Sequence, residues 1–149
     1  MTTASAAYSV IKTRLQANAP AGLPIYWQND REITLPLDPA SFAYVEFLAD
    51  RALLASFGSG RGGNRYRHPA RIDAYVFVPQ GDGLTVALTY AEQIATVFRS
   101  FRDSDISCFE ASVYPGGSGA DLKPAGLTSE VGNYFWALAE ISLFYDLIG

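Results

Sequence analysis

Residues 71–78, Arg-Ile-Asp-Ala-Tyr-Val-Phe-Val, decide the fold class of this chain. The even-numbered positions are all aliphatic, whereas the odd-numbered positions are charged or aromatic. A period of two is typical of a β-strand, because successive side chains point to opposite faces of a sheet. Valine, isoleucine and aromatic residues are also enriched in strands. We therefore predict a strand over this segment.

The preceding segment, residues 42–57, supplies a partner for this strand. Its first half alternates like a strand, although residues 50–55, Asp-Arg-Ala-Leu-Leu-Ala, would suit a helix equally well. Residues 58–64, Gly-Ser-Gly-Arg-Gly-Gly-Asn, form a flexible connector between the two segments, which we interpret as the arms of a long β-hairpin. Pro69 cannot donate a ladder hydrogen bond, so the far end of the hairpin is predicted to be a sheet edge or to leave the sheet.

Two stretches have the periodicity of amphipathic helices. In residues 5–17, Ser5 can cap the first turn, and Tyr8, Ile11 and Leu15 share one face. Residues 85–101 carry an apolar stripe of similar spacing. Residues 106–114 alternate as a strand, and residues 134–147 are rich enough in aromatic residues to favour a strand over a helix.

These segments predict an α+β fold: an antiparallel or mixed β-sheet with a long β-hairpin, flanked by two helices on one face. Neither a repeat nor a shift in composition divides the chain, so residues 1–149 are interpreted as one domain. We expect two mobile segments in it, a Gly/Arg-rich hairpin tip at residues 58–70 and a flexible loop at residues 115–126.

Composition excludes several classes of protein. A hydrophobic content of 49% with 17% charged residues is too apolar for intrinsic disorder, and a net charge of −4 disfavours a nucleic-acid-binding surface. The single cysteine, Cys108, cannot form an internal disulfide, and the single histidine, His68, excludes most histidine-rich metal sites. The sequence has neither a secretory signal nor an apolar run long enough to cross a membrane, so we expect a soluble protein of a reducing cytoplasm.

Three catalytic patterns are present only superficially. Gly58-x-Gly60-x-x-Gly63 has the spacing of a dinucleotide-binding loop, but a proline-containing strand follows it instead of the helix that would hold a pyrophosphate. Cys108 and His68 could form a nucleophile–base pair, yet a cysteine in an alternating strand is more often a small buried hydrophobe. Asp103 and Asp105 are typical of a solvated turn. We therefore expect no enzyme activity, no cofactor and no metal.

An arginine cluster is the one local charge anomaly. Four of the nine arginines lie within eleven residues, on and beside the glycine-rich connector, together with a tyrosine. Arginine and tyrosine are enriched at interface hot spots. We predict a subunit or partner interface formed by Arg61, Arg65, Tyr66, Arg67 and Arg71.

Aromatic residues are unusually abundant: nine Phe, nine Tyr and two Trp in 149 residues. Alternating strands would place large rings on both faces of the sheet, and helices can cover only one of these faces. We interpret the excess as a surface covered by a neighbouring subunit, which favours self-association into a ring.

From about Leu23 to the C terminus the chain resembles the tail terminator, or tail completion, proteins of long-tailed bacteriophages. This family includes the minor tail protein U and relatives in prophages and gene transfer agents. The order of elements also matches. The likeness rests on residues 24–29, 42–57, 58–64, 71–79, 81–83, 95–98 and 134–146.

The resemblance implies a structural virion protein that forms a ring, typically a hexamer, on the head-proximal end of the tail tube. Such a ring ends tube polymerisation and presents the surface that the head binds. Its implied partners are copies of itself, the major tail tube protein and a head–tail connector or stopper protein. DNA would pass through the lumen without specific binding, and assembly would take place in the host cytoplasm.

Two other functions remain open on the sequence. The chain could be a connector or stopper protein of the same particle, which binds portal complexes instead of the tube. It could also be a small-molecule-binding domain or enzyme with an aromatic pocket around Trp27 and Trp136.

Overall fold

A computed structural model describes residues 3–30, 35, 37–56, 60–119 and 131–149 of the chain. Its elements follow one another as α1 (Ala4–Ala17), β1 (Ile25–Trp27), β2 (Phe42–Ala49), β3 (Leu53–Leu54), β4 (Arg65–Pro79), α2 (Leu84–Phe98), β5 (Ile106–Ser118) and β6 (Tyr134–Ile148). The predicted α+β class, with a mixed sheet, a long hairpin and two helices, is confirmed.

The strands of the described chain form one mixed sheet in the order β1-β2-β4-β6-β5. β1 runs parallel to β2, and the other neighbours are antiparallel. The central pair, β4 and β6, stays in register over its full length, from Arg65 opposite Ile148 to Pro79 opposite Tyr134. The short strand β3 pairs with the beginning of β4, where β2 has already ended.

Both helices belong to the core on one face of the sheet, which we call the helix face. α2 buries Ala87, Ala91, Ile94, Ala95 and Phe98, which recur at the spacing of one helical stripe. They pack in one cluster with small and aliphatic side chains of β4 and β6. The alanines among these strand residues leave room for the helix to approach the sheet closely.

Helix α1 begins at Ala4, one residue earlier than the sequence indicated. The hydroxyl of Thr3 accepts a hydrogen bond from the backbone N–H of Ala6 at 3.1 Å, which makes Thr3 the N-cap. The expected cap, Ser5, lies inside the first turn of the helix. Of the predicted apolar face, Ile11 and Leu15 are buried together with Ala7, whereas Tyr8 is only partly buried.

The opposite face, which we call the open face, has a smaller aromatic cluster of its own. Phe42 of β2 stacks on Phe77 of β4 with ring centroids 4.9 Å apart, and Tyr134 meets Phe42 edge-on at 5.2 Å. Tyr44 is fully buried beside them. Part of the aromatic excess is therefore buried within the chain itself, without a neighbouring subunit.

Pro69 occupies an interior strand, contrary to the sequence-based expectation. β4 begins at Arg65, and Pro69 lies within it, opposite Phe144 of β6. Its carbonyl oxygen accepts a hydrogen bond from the backbone N–H of Asp50 at 2.9 Å. The nitrogen of Pro69 therefore faces the same segment, which connects β2 to β3. In this connecting segment three residues, 50–52, lie opposite only two residues of β4, His68 and Pro69. The proline is tolerated because it lies at this bulge.

Strands extend into both of the segments that were expected to be mobile. Residues 65–70 of the tip belong to β4, and residues 115–118 of the loop belong to β5. The described part of the connection before β4 includes residues 60–64, with Gly60 and Gly62 at φ angles of 70° and 88°. Residues 57–59 and 120–126 lie outside the described part of the chain. Within that part, no helix is long and apolar enough to cross a membrane.

Candidate interface on the open face

Strand register places the open-face side chains in rows that cross the sheet. One row is aromatic and apolar, and runs from Tyr44 to Tyr114 through Tyr75 and Leu138. The next row carries carboxylates at Glu46, Asp73 and Glu140, and ends at Ser112. Two rows nearer to the start of β4, Pro69 lies beside Phe144 and Ser107. One row further on, Leu53 of β3, Arg67 of β4 and Asp146 of β6 lie side by side.

The arginines predicted as an interface divide between the hairpin turn and β4. Arg65, Arg67 and Arg71 occupy alternate positions of β4 and therefore share the open face. Tyr66, one residue out of step with them, lies on the opposite side, between Leu54 and Leu147. Arg61 is exposed in the turn.

Arg67 is fixed by contacts within the chain. Its Nε and Nη2 donate to the two carboxylate oxygens of Asp146 at 2.9 and 3.0 Å, and its guanidinium lies 3.8 Å from the ring centroid of Phe144. This fork-on-fork geometry is the strongest form of arginine–carboxylate contact. The hydrogen bond from Arg67 lowers the pKa of Asp146 below its usual value, and the same bond raises the pKa of Arg67.

Arg71 partly neutralises the negative charge of the carboxylate row that contains Asp73 and Glu140. Its Nε lies 2.9 Å and its Nη2 3.0 Å from the carboxylate oxygens of Asp73, which is the one buried charged residue among those described. The Glu140 carboxylate is 4.0 Å away from the same Nε. The contact with Asp73 raises the pKa of Arg71. A buried carboxylate needs such a partner because desolvation without one is costly.

The predicted interface residues therefore differ in how accessible their charge is. Arg67 and Arg71 are held in intramolecular ion pairs. Arg65 keeps a side chain that is 53% exposed and stands 3.8 Å from Asp146. Arg61 and Arg65 are the members of the set whose charge faces solvent most freely.

Exposed apolar side chains on the open face were not identified from the sequence. Nine large apolar side chains are exposed in the described chain, and five of them belong to this face: Leu48, Leu53, Phe109, Tyr114 and Ile148. Phe109, at 63% exposure, lies at an irregularity of β5 with its ring 6.2 Å from that of Phe144. A bulge of this kind reverses the strand alternation, and sequence periodicity does not reveal it.

The two residues of the candidate catalytic pair lie on strands that are not neighbours in the sheet. His68 lies on β4 and Cys108 on β5, with β6 between them. The two strands are therefore two spacings apart, a total of roughly 10 Å. His68 instead stacks on Tyr145, with ring centroids 4.8 Å apart. Burial raises the pKa of the Cys108 thiol to about 12, which leaves almost no thiolate at neutral pH.

The aspartates of the 103–105 turn and the two tryptophans do not form a binding site together with other described residues. Asp103 caps the turn before β5, because its Oδ1 accepts from the N–H groups of Asp105 and Ile106 at 2.7 and 2.8 Å. No group of three or more potential metal ligands occurs among the described residues. Trp27 belongs to the helix-face core and Trp136 packs on the open-face cluster, so they do not line a common pocket.

An open concavity lies between the two helices. It is an open groove of 890 Å³ bordered by residues such as Arg14, Leu88 and Glu92. Arg14 is itself engaged there, with Nε donating to the carbonyl oxygen of Val97 at 2.7 Å. Neither tryptophan borders the groove.

No family model matches this chain, and no curated protein matches it. Ten solved protein chains do match it. One of them is 16% identical, and the superposition covers 99% of this chain and 98% of that one with a TM-score of 0.58. The name of that protein is a bare sequence identifier that states no function. The likeness is one of fold.

Proposed function

We propose that this protein is a tail terminator of a bacteriophage-type tail. In this proposal six copies form a ring on the head-proximal end of the tail tube, end its polymerisation and offer the surface to which the head binds. Its partners are further copies of the chain, the tail tube protein and a connector protein of the head. Its place is the virion.

The observation that carries the proposal is the open face. Among the described residues, five of the nine exposed large apolar side chains belong to it, although helices cover the other face of the same sheet. Burial of apolar surface contributes about 25 cal/mol per Å², so leaving these side chains in water forfeits stability that a partner would restore. Concentrated exposure of this kind is typical of surfaces that bind another protein.

The charges on the open face support the same function. Arg67 and Arg71 are locked to neighbouring carboxylates, so this part of the surface is ordered before any partner arrives. A pre-ordered surface loses less conformational entropy on binding. A protein that forms the same contact six times in a ring benefits from such rigidity.

The net charge fits passage of DNA through the ring. A ring of six protomers, each with a net charge of −4, carries −24 in total. Such a field repels the phosphate backbone and disfavours tight binding, so DNA that leaves the head would slide through. The acidity is thus consistent with a conduit.

Tube length tests the proposal. Purified tail tube protein is polymerised with and without this chain, and lengths are measured by negative-stain electron microscopy. We expect the chain to label one end of each tube and to halt growth, whereas an unrelated protein of similar size has no effect. Tubes that grow equally long and stay unlabelled would contradict the proposal. Binding to portal complexes in place of tubes would instead favour the connector function.

A further inference from the structure

We propose that neighbouring copies of this chain meet edge to edge, with the β5 edge of one protomer against the β3 edge of the next. The inference rests on the proposed ring and names the surfaces that close it. The β5 edge is defined here by Phe109 and Glu110, and the β3 edge by Arg51, Leu53 and Leu54.

The two edges lie at opposite sides of the same end of the sheet. β3 pairs with the first residues of β4, and the β5 segment around Phe109 pairs with the last part of β6. Since β4 and β6 are neighbours, the row β3-β4-β6-β5 spans only three strand spacings, roughly 14 Å. Different surfaces on opposite sides of a protomer form a heterologous contact, which closes into a ring when the rotation allows.

Each edge presents exposed apolar side chains. Leu53 and Leu54 are 55% and 40% exposed on one side, and Phe109 is 63% exposed on the other. These are the side chains that an interface core requires, since interface centres are more apolar than their rims. One protomer cannot bring its own two edges together across the sheet, so the complement of each edge is a second copy.

The charges of the two edges are complementary. Around β3 lie Arg51, Arg61, Arg65 and Arg67 against two carboxylates, Asp50 and Asp146, which leaves a charge of +2. Around the start of β5, three carboxylates stand against one arginine and leave −2: Asp103, Asp105, Glu110 and Arg102. Among the described residues, neither Arg51 nor Glu110 has an intramolecular ion-pair partner. Each is therefore available to pair with the other across a contact between copies.

The contact is made by side chains and not by extension of the sheet. β3 has only two residues, which is too short to template a strand. β5 loses register at Phe109 and again beyond Pro115, and bulges and prolines are the devices that stop edge strands from pairing with other chains. These features block open-ended β-pairing and leave the Phe109–Glu110 side chains as the docking element.

Charge reversal in pairs tests the inference. Arg51→Glu and Glu110→Arg each place like charges across the proposed contact, so each variant alone is expected to require at least about tenfold more protein for half-maximal ring assembly. The two variants mixed in equal amounts restore opposite charges at every contact, provided that they alternate around the ring. Native mass spectrometry with one variant isotope-labelled should therefore show rings with three copies of each.

Controls separate this inference from the proposed function. Asp82→Arg changes an exposed charge at the far end of the sheet and should leave assembly unchanged, and circular dichroism verifies that each variant folds. Where a reversal does not fold, the neutral variants Arg51→Gln and Glu110→Gln are used, with a smaller loss expected. Assembly is measured under whichever condition, free or on the tube, gives a wild-type ring.

The outcomes are distinct. Single variants that assemble like the wild type would overturn the edge assignment while leaving the ring in place. Single variants that fail without recovery in the mixture would show that the two charges do not pair. A wild-type chain that forms no ring under either condition would overturn both proposals.

Discussion

Two adjacent glycines in β5 differ sharply in what surrounds them. Gly116 lies where β5 loses register with β6, between Pro115 opposite Ala137 and Ser118 opposite Phe135. A Cβ placed on Gly116 would overlap both the carbonyl oxygen and the indole ring of Trp136. A Cβ on Gly117 would meet nothing within 4 Å. Replacement of each glycine by alanine therefore isolates one packing contact under the aromatic cluster of the open face.

The magnitude follows from the atoms involved. Because one of the overlapping atoms is a backbone oxygen, Gly116→Ala can be accommodated only by moving strand β5 or β6. Overpacking of this type costs about 1–3 kcal/mol. Gly117→Ala should change the free energy of unfolding by no more than about 0.5 kcal/mol. For a chain of this length about 1 kcal/mol corresponds to roughly 3 °C, so the Tm of Gly116→Ala is expected to fall by roughly 3–9 °C.

Thermal unfolding followed by circular dichroism measures the difference. All samples are compared at one protomer concentration, because self-association makes Tm depend on concentration. Near-ultraviolet dichroism reports on the packing of the tryptophans and should weaken in Gly116→Ala before the transition. If Gly116→Ala melts with Gly117→Ala and the wild type, the close approach of Trp136 to β5 is wrong.

Two further predictions concern charge and thiol chemistry. Asp146→Asn should lower the free energy of unfolding by about 1 kcal/mol at neutral pH, because it breaks the pair with Arg67, whereas Asp82→Asn should not. Since Arg67 lowers the pKa of Asp146, this contribution is complete above the unfolded value near 3.8 and is lost as the pH falls through the lower folded value. The stability difference in urea melts should accordingly persist at about pH 5 and shrink as the pH falls below 3.8; a difference independent of pH would contradict the ion pair. Because the pKa of Cys108 is raised from 9.0 to about 12, its thiolate at mildly alkaline pH should be about a thousandfold scarcer than that of an exposed thiol. Alkylation by iodoacetamide should be slow until urea unfolds the chain, with Asp82→Cys in a Cys108→Ala background as the reactive control; rapid labelling of the folded wild type would refute the burial of Cys108.

Much of the fold could be predicted because its signals are local. The alternation in residues 71–78 and the helical stripe before Phe98 require only a short window of sequence. The strand forms within β4, and the helix forms as α2 but ends at Phe98, three residues before the predicted end at residue 101. The position of Pro69 was predicted wrongly because a proline within a strand is usually excluded from the interior of a sheet. Whether it is tolerated depends on the bulge at residues 50–52, which belongs to a different strand.

The candidate interface could be predicted only in part. The arginine cluster is visible in the sequence, but its partners are not: Arg67 and Asp146 are 79 positions apart and meet only through the register of β4 and β6. Phe109 was assigned to an ordinary alternating strand, and its exposure follows from a bulge that sequence periodicity does not show. Long-range register thus decides which charges are neutralised within the chain and which remain available to a partner.

The native mass of the purified chain, measured alone and with the tail tube protein, shows whether six copies form a ring. A closed ring of six 16.1 kDa protomers has a mass of about 97 kDa. We expect this species either in solution or once the tube is present; in the second case the ring assembles on docking. A chain that stays monomeric under both conditions would contradict the proposed tail terminator.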